Sequence, residues 1–170
     1  MKDLPVQVFR FDPATDEQPY LQHYLIRVHE GARVLHVLHA IHDEHDPSFS
    51  YRYCCGSGQC GSCAVLVNGE PVNSCILPAM KVSGQSVTTI EGLAKEDKLD
   101  PLQEAFVDEG AVQCGFCTPA MVLSAKALLE KNPHPDESQI RQSLSGVLCR
   151  CTGYSKIVKA VQKASLNRRS

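Results

Sequence analysis

The sequence predicts an α+β protein of two units, a sheet unit crossed by one helix over residues 1–92 and an all-α unit of four helices over residues 93–170. Three observations predict it. Strand-like runs at 6–11 and 21–29 flank a turn-rich link, Asp12-Pro13-Ala14-Thr15-Asp16, and a helically spaced run follows, the order of a small sheet with a helix across it. Beyond residue 92 the apolar spacing turns helical and repeats one plan twice: apolar run, cysteine pair, apolar run. Of the nine cysteines, eight fall into two sets of four, leaving Cys54 over.

In the sheet unit, the run 33–45 sets Val34, Val37, Leu38 and Ile41 at helical spacing. His36, His39, His42 and His45 lie on the same run three residues apart. That spacing turns each imidazole by about 60° from the last, so they read as exposed groups on a polar face and not as a metal site. The runs 64–67 and 71–74 flank Asn68-Gly69, a strong hairpin signal, and 86–90 reads as the last strand. The polar stretch 91–97 links the two units.

In the helical unit, Leu99, Leu102 and Phe106 form a periodic run that stops at Gly110. After Cys114 and Cys117 comes a second run with Met121, Ala125, Leu128 and Leu129. Ile140, Leu144 and Val147 then form a third, with a stop at Gly146, and after Cys149 and Cys151 a fourth carries Tyr154, Ile157, Val158 and Val161. Thr118 reads as an N-cap with Pro119 at the first helical position, and Thr152-Gly153 precedes the last run. Four short helices in two hairpins would bring both cysteine-bearing turns to one end of a bundle, with helix N-termini aimed at four thiolates.

Composition narrows the partners. A formal net charge of −2 gives no basic excess for nucleic acid or a membrane surface. No apolar run approaches the roughly 20 residues of a membrane span, and the first nine residues lack the apolar core of a secretory signal. A cytoplasmic protein is expected, and Arg168-Arg169 reads as a solvated tail. An odd number of cysteines in such a chain points to metal or redox chemistry rather than to disulfides.

The first set is Cys55, Cys60, Cys63 and Cys75: C-x4-C-x2-C followed by x11-C, whose first part is the spacing of plant-type [2Fe–2S] ferredoxins. Gly56, Gly58 and Gly61 suit a loop that must adopt positive φ and bring its N–H groups to sulfur. A zinc knuckle is the alternative, and paired C-x2-C spacing would be its usual form. In the second set, Cys114 and Cys117 alone would also suit a dithiol motif, but no βαβ setting surrounds them. Joined by Cys149 and Cys151 they form a four-thiolate site, for which zinc remains a chemical alternative.

From about residue 55 to 163 the chain resembles the iron–sulfur small subunit of the molybdenum hydroxylases, the xanthine oxidase family. The resemblance is carried by the loop 55–63 with Val72-Asn73-Ser74-Cys75, by Gln113-Cys114-Gly115-Phe116-Cys117-Thr118-Pro119, and by Leu148-Cys149-Arg150-Cys151-Thr152-Gly153-Tyr154. It implies a plant-ferredoxin-like, β-grasp domain over 1–92 and a four-helix [2Fe–2S]-binding domain over 93–170, each with one cluster. It also implies that Gln113 and Cys151 contact a molybdopterin cofactor held mainly by a large partner subunit, and that the first cluster lies toward an FAD-binding subunit. The first 50 residues are similar instead to the iron–sulfur subunit of succinate dehydrogenase or fumarate reductase, through Val6, Phe9-Arg10-Phe11-Asp12-Pro13 and Asp46-Pro47-Ser48-Phe49-Ser50-Tyr51-Arg52. Cys54 stands where related loops carry Gly or Ser, and reads as a buried bystander thiol.

The expected function is electron transfer in a heteromeric oxidoreductase, from the molybdopterin centre through two [2Fe–2S] clusters to FAD or another acceptor, with no catalytic residues on this chain. The alternatives are an electron-transfer subunit of a molybdenum-free flavoprotein dehydrogenase and a zinc-stapled interaction module.

Overall fold

The computed structural model describes residues 1–12, 14–94 and 98–167. Pro13 of the first link, residues 95–97 of the polar linker and Arg168-Arg169 lie outside the described residues. Lys2–Arg10 forms β1 and Tyr20–Val28 forms β2, an antiparallel hairpin with Leu4 opposite Ile26. Helix α1, Val34–Ala40, buries Val34, Leu35, Val37 and Leu38, and a single wide turn, Ile41–His45, extends it. Ala64–Val67 and Glu70–Asn73 form β3 and β4 around Asn68 and Gly69, both at positive φ as a tight hairpin turn requires. Ser86–Thr88 forms β5, parallel to β1 and antiparallel to β3. The strand order is β2-β1-β5-β3-β4. Residue 90, expected in the last strand, instead opens a 3₁₀ turn, Ile90–Leu93, that buries Leu93.

The four predicted helices are α2, Pro101–Asp108; α3, Thr118–Lys131; α4, Glu137–Leu144; and α5, Ser155–Asn167. Helix α2 begins at a capping box in which Asp100 accepts from the Leu102 N–H and its own N–H donates to Gln103. It ends in a Schellman motif: Gly110, φ +59°, donates to Val107 while Ala111 donates to Phe106. Leu99 falls before this helix and is exposed. The expected glycine stop at Gly146 is not of this kind, because Gly146 has no positive φ and α4 ends at Leu144 with Ser145 as its C-cap. The expected hairpin pairing also gives way: α2 lies chiefly against α5, and α3 against α4.

Two cores share one strand. Leu4, Val6, Val8, Ile26, Val37, Leu38, Ile41 and Val65 pack between sheet and α1. Ala64 and Leu66 point the other way, into the helical core with Phe106, Met121, Leu129, Ile140, Ile157 and Val161. Alternate side chains of a strand leave opposite faces, so the apolar run Ala64-Val65-Leu66 belongs to a strand covered on both sides. Helix α3 is the cover. It buries eight residues spread around its circumference, as a helix wedged between a sheet and other helices must.

Candidate metal centres

The first set of cysteines lies on the loop before β3 and just after β4. Gly56, Gly58 and Gly61 take φ values of +68°, +78° and +69°, turning the loop's N–H groups inward. Ser57 and Cys60 N–H donate to Cys55 Sγ at 3.5 and 3.4 Å, and Gly58 N–H donates to Cys75 Sγ at 3.2 Å. The β3–β4 hairpin returns Cys75 to the loop, as its sequence foretold. Cys55 lies within hydrogen-bond reach of the Cys60 thiol, and Cys63 within reach of Cys75. Cys63 and Cys75 are buried beside Leu35, whereas Cys55 is exposed. The Ser57 and Cys60 N–H groups hold the Cys55 thiol down to about 6, and burial pushes Cys75 up to about 11.

The second set lies on the α2–α3 and α4–α5 turns. Cys114 meets Cys151, and Cys117 meets Cys149. Cys117 itself is the N-cap of α3, in helical φ/ψ and with no side-chain cap hydrogen bond; Thr118, expected there, is the first helical residue. Helix α5 starts at Ser155, after Gly153 and Tyr154 in left-handed conformations, so a cysteine sits directly on a helix terminus only at α3. The Thr152 N–H donates to Cys149 Sγ at 3.4 Å, with the Thr152 hydroxyl 3.1 Å away. Tyr154 clamps this turn by accepting from Cys149 N–H at 2.9 Å and donating to the Val147 carbonyl at 3.4 Å. Burial pushes Cys117 up to about 12, the Phe116 N–H draws Cys114 down, and the neighbouring Cys114 raises Cys151. Burial also opposes ionisation of Cys149, but the Thr152 hydroxyl and N–H, with the Cys151 N–H and the Cys117 thiol adding to them, outweigh it.

All eight predicted ligands are therefore gathered, each site as two thiol pairs. Among the described residues no three His, Cys, Asp or Glu side chains converge on a single ion position. Two pairs are what a binuclear centre takes, two thiolates on each iron, and N–H donors around the sulfurs stabilise the negative charge. The sites also touch. Leu148 N–H donates to the Cys60 carbonyl at 2.9 Å, and Gly61 lies so close to Gly146 that an added Cβ would fall 2.0 Å from its carbonyl oxygen. One hydrogen bond thus joins a cysteine of the first set to the residue before Cys149.

Cys54 is exposed, not buried, with its thiol in reach of Cys60. Gln113 and Cys151 are exposed at the second site. The histidines are more engaged than expected. His39 packs edge-on against Tyr51 and Tyr53, its Nδ1 lies 2.7 Å from the Tyr51 hydroxyl, and His42 meets Tyr51 and the Phe49 carbonyl. They brace a strap, residues 46–53, that runs from the wide turn to the first cysteine loop. Arg10, buried, donates to Asp46 and Ser48 at 2.8 Å and to Glu91, which also accepts from Ser50 N–H. A cleft of 470 Å³ separates this strap from α3, and none of the described cysteines lines it. Periodicity gives no hint of the strap; the sole signal was its likeness to a second family.

Two sulfur-lined sites in hydrogen-bond contact, one in a sheet unit and one among helices, define a two-centre electron-transfer protein. Residues 5–113 match the family described as 2Fe-2S iron-sulfur cluster binding domain, and residues 89–162 match the [2Fe-2S] binding domain. The nicotinate dehydrogenase small FeS subunit of Eubacterium barkeri is 50% identical over 110 residues, covering 65% of this chain and 70% of its own. The xanthine dehydrogenase iron-sulfur-binding subunit of Escherichia coli O157:H7 is 46% identical over 112 residues, 63% of this chain and 69% of that one. Quinoline 2-oxidoreductase from Pseudomonas putida 86 matches in structure with a TM-score of 0.73 and 32% identity, over 98% of both chains. The aldehyde oxidoreductase of Desulfovibrio desulfuricans ATCC 27774 matches with a TM-score of 0.81 and 34% identity, over 99% of this chain but 17% of that longer one. The chain belongs to the family of iron–sulfur small subunits of the molybdenum hydroxylases, and its role is electron transfer through [2Fe–2S] centres within an oxidoreductase. Since the structural match covers 99% of the chain, the first 50 residues, divergent in sequence, keep the same fold. No described helix is long and apolar enough to cross a membrane.

Proposed function

We propose that Cys55, Cys60, Cys63 and Cys75 hold one [2Fe–2S] cluster and that Cys114, Cys117, Cys149 and Cys151 hold a second, in a cytoplasmic complex with a molybdopterin-binding large subunit and an FAD-binding subunit. A cluster held by either set of thiolates would supply one-electron transfer. The observation that carries the relay is the Leu148 N–H to Cys60 carbonyl bond, which makes the two sites neighbours through backbone atoms. Gln113 and Cys151 present the second site to the pterin, a reading supported by their exposure. The first unit, 1–92, then serves the flavin side, and the second, 93–170, the molybdenum side; the described sheet ends at Thr88 and the first helix of the second unit begins at Pro101.

The test is low-temperature electron paramagnetic resonance during a reductive titration of the complex purified with its native partners, alongside metal and flavin analysis. Two distinct [2Fe–2S] signals, about four irons per chain, and molybdenum with flavin are expected. Zinc in place of iron would end the cluster reading. Flavin without molybdenum would move the chain to a molybdenum-free dehydrogenase.

A further inference from the structure

Arg52 belongs to the strap of the first unit, yet its guanidinium lies over the Phe116 ring of the second, 5.6 Å from the centroid. That is within the range of a cation–π contact. Phe116 sits between Cys114 and Cys117, and its own N–H helps to draw the Cys114 thiol down. From the same end of the strap the chain runs on to Cys55, three residues after Arg52. The strap is not free to wander. Asp46 and Ser48 hold it to buried Arg10, Glu91 accepts from Ser50 N–H, and Tyr51 stacks between Phe49 and Tyr53 at 5.8 and 6.1 Å. Among the described residues Arg52 makes no ion pair.

We propose that Arg52 is a positioning residue for electron transfer, a fixed cation laid by the first unit across the second site to raise the reduction potential of the cluster held there. The inference rests on the two-cluster reading. Reduction adds one electron, supplied by the upstream centre or by dithionite in a titration, and no bond forms or breaks. A nearby cation favours the more negative reduced state over the oxidised one, and cluster potentials follow local charge and hydrogen bonding. Since the charge is exposed, its effect should weaken with salt. Arg150 also flanks the second site, but from within its own loop, whereas Arg52 makes the potential depend on how the two units are docked.

The test is a potentiometric titration of the purified complex, followed by electron paramagnetic resonance, with Cys114→Ser marking which signal belongs to the second site. Arg52→Gln is expected to lower the midpoint of that signal, Arg52→Lys to restore most of it, and raised ionic strength to narrow the gap between wild type and Arg52→Gln. Phe116→Leu, which removes the seat of the guanidinium, should move the same signal the same way, and it carries the test if Arg52→Gln loads no iron. Unchanged midpoints in iron-replete variants, or a shift confined to the other signal, would overturn the proposal and leave the cluster assignment standing. A wild-type complex without iron would overturn both.

Discussion

At the residue scale, Cys149 shows how sulfur is held ready for charge. It is partly buried, which disfavours a thiolate, and the Thr152 hydroxyl and N–H, together with the Cys151 N–H and the Cys117 thiol, more than offset that burial. Hydrogen bonds to a ligating sulfur stabilise the reduced cluster more than the oxidised one. Thr152→Val is therefore expected to lower the midpoint of the second-site cluster by tens of millivolts, from a net hydrogen bond of about 1 kcal/mol and about 59 mV per tenfold change. Spectroelectrochemistry checks it, and an unmoved midpoint would show that the backbone N–H alone suffices. Thr118, by contrast, offers no such handle, because its side chain does not cap α3.

Among the elements, short helices lean on their ends. Helix α4 opens with Asp136 accepting from Gln139 N–H at 2.8 Å while the Gln139 side chain accepts from Asp136 N–H at 2.9 Å. Asp136→Ala should cost about 1 kcal/mol, read from thermal or urea unfolding. The strap depends on charge instead. The Ser48 hydroxyl, with its N–H and Arg10 adding to it, holds the Asp46 carboxyl below the usual carboxylate range despite partial burial. That contribution is complete above the unfolded value near about 4 and is lost as pH falls through the lower folded value. Glu91 has the opposite sign, since burial raises it: its contribution is present below the unfolded value and is lost as pH rises through the folded one. Asp46→Asn is expected to flatten the acid limb of a stability–pH curve. Parallel curves for wild type and variant would mean that the strap is held by packing alone.

At the scale of the whole molecule, the proposed relay crosses the seam between units. Gly61 is left-handed and its missing side chain leaves room for the Gly146 carbonyl. Gly61→Ala should destabilise the chain by about 1–3 kcal/mol through backbone strain and overpacking. It should also slow electron passage between the sites by parting Cys60 from Leu148, which freeze-quench spectroscopy can time. A variant that melts with wild type and relays as fast would refute the seam as the route.

Sequence alone determined the two sets of thiols, the hairpin that returns Cys75, the positive-φ glycines of the first loop and the four helices, because cysteine spacing, turn chemistry and apolar period are local properties. It placed the cap of α3 one residue late and misjudged Gly146, since caps depend on φ/ψ that neighbouring turns decide. Only the tertiary structure decided which thiol faces which, the sharing of β3 by two cores, and the strap that carries Arg52 to Phe116. Apart from Cys55 with Cys60, those contacts join residues a dozen or more positions apart. Their partners are chosen by the packing of whole elements, which no local pattern records.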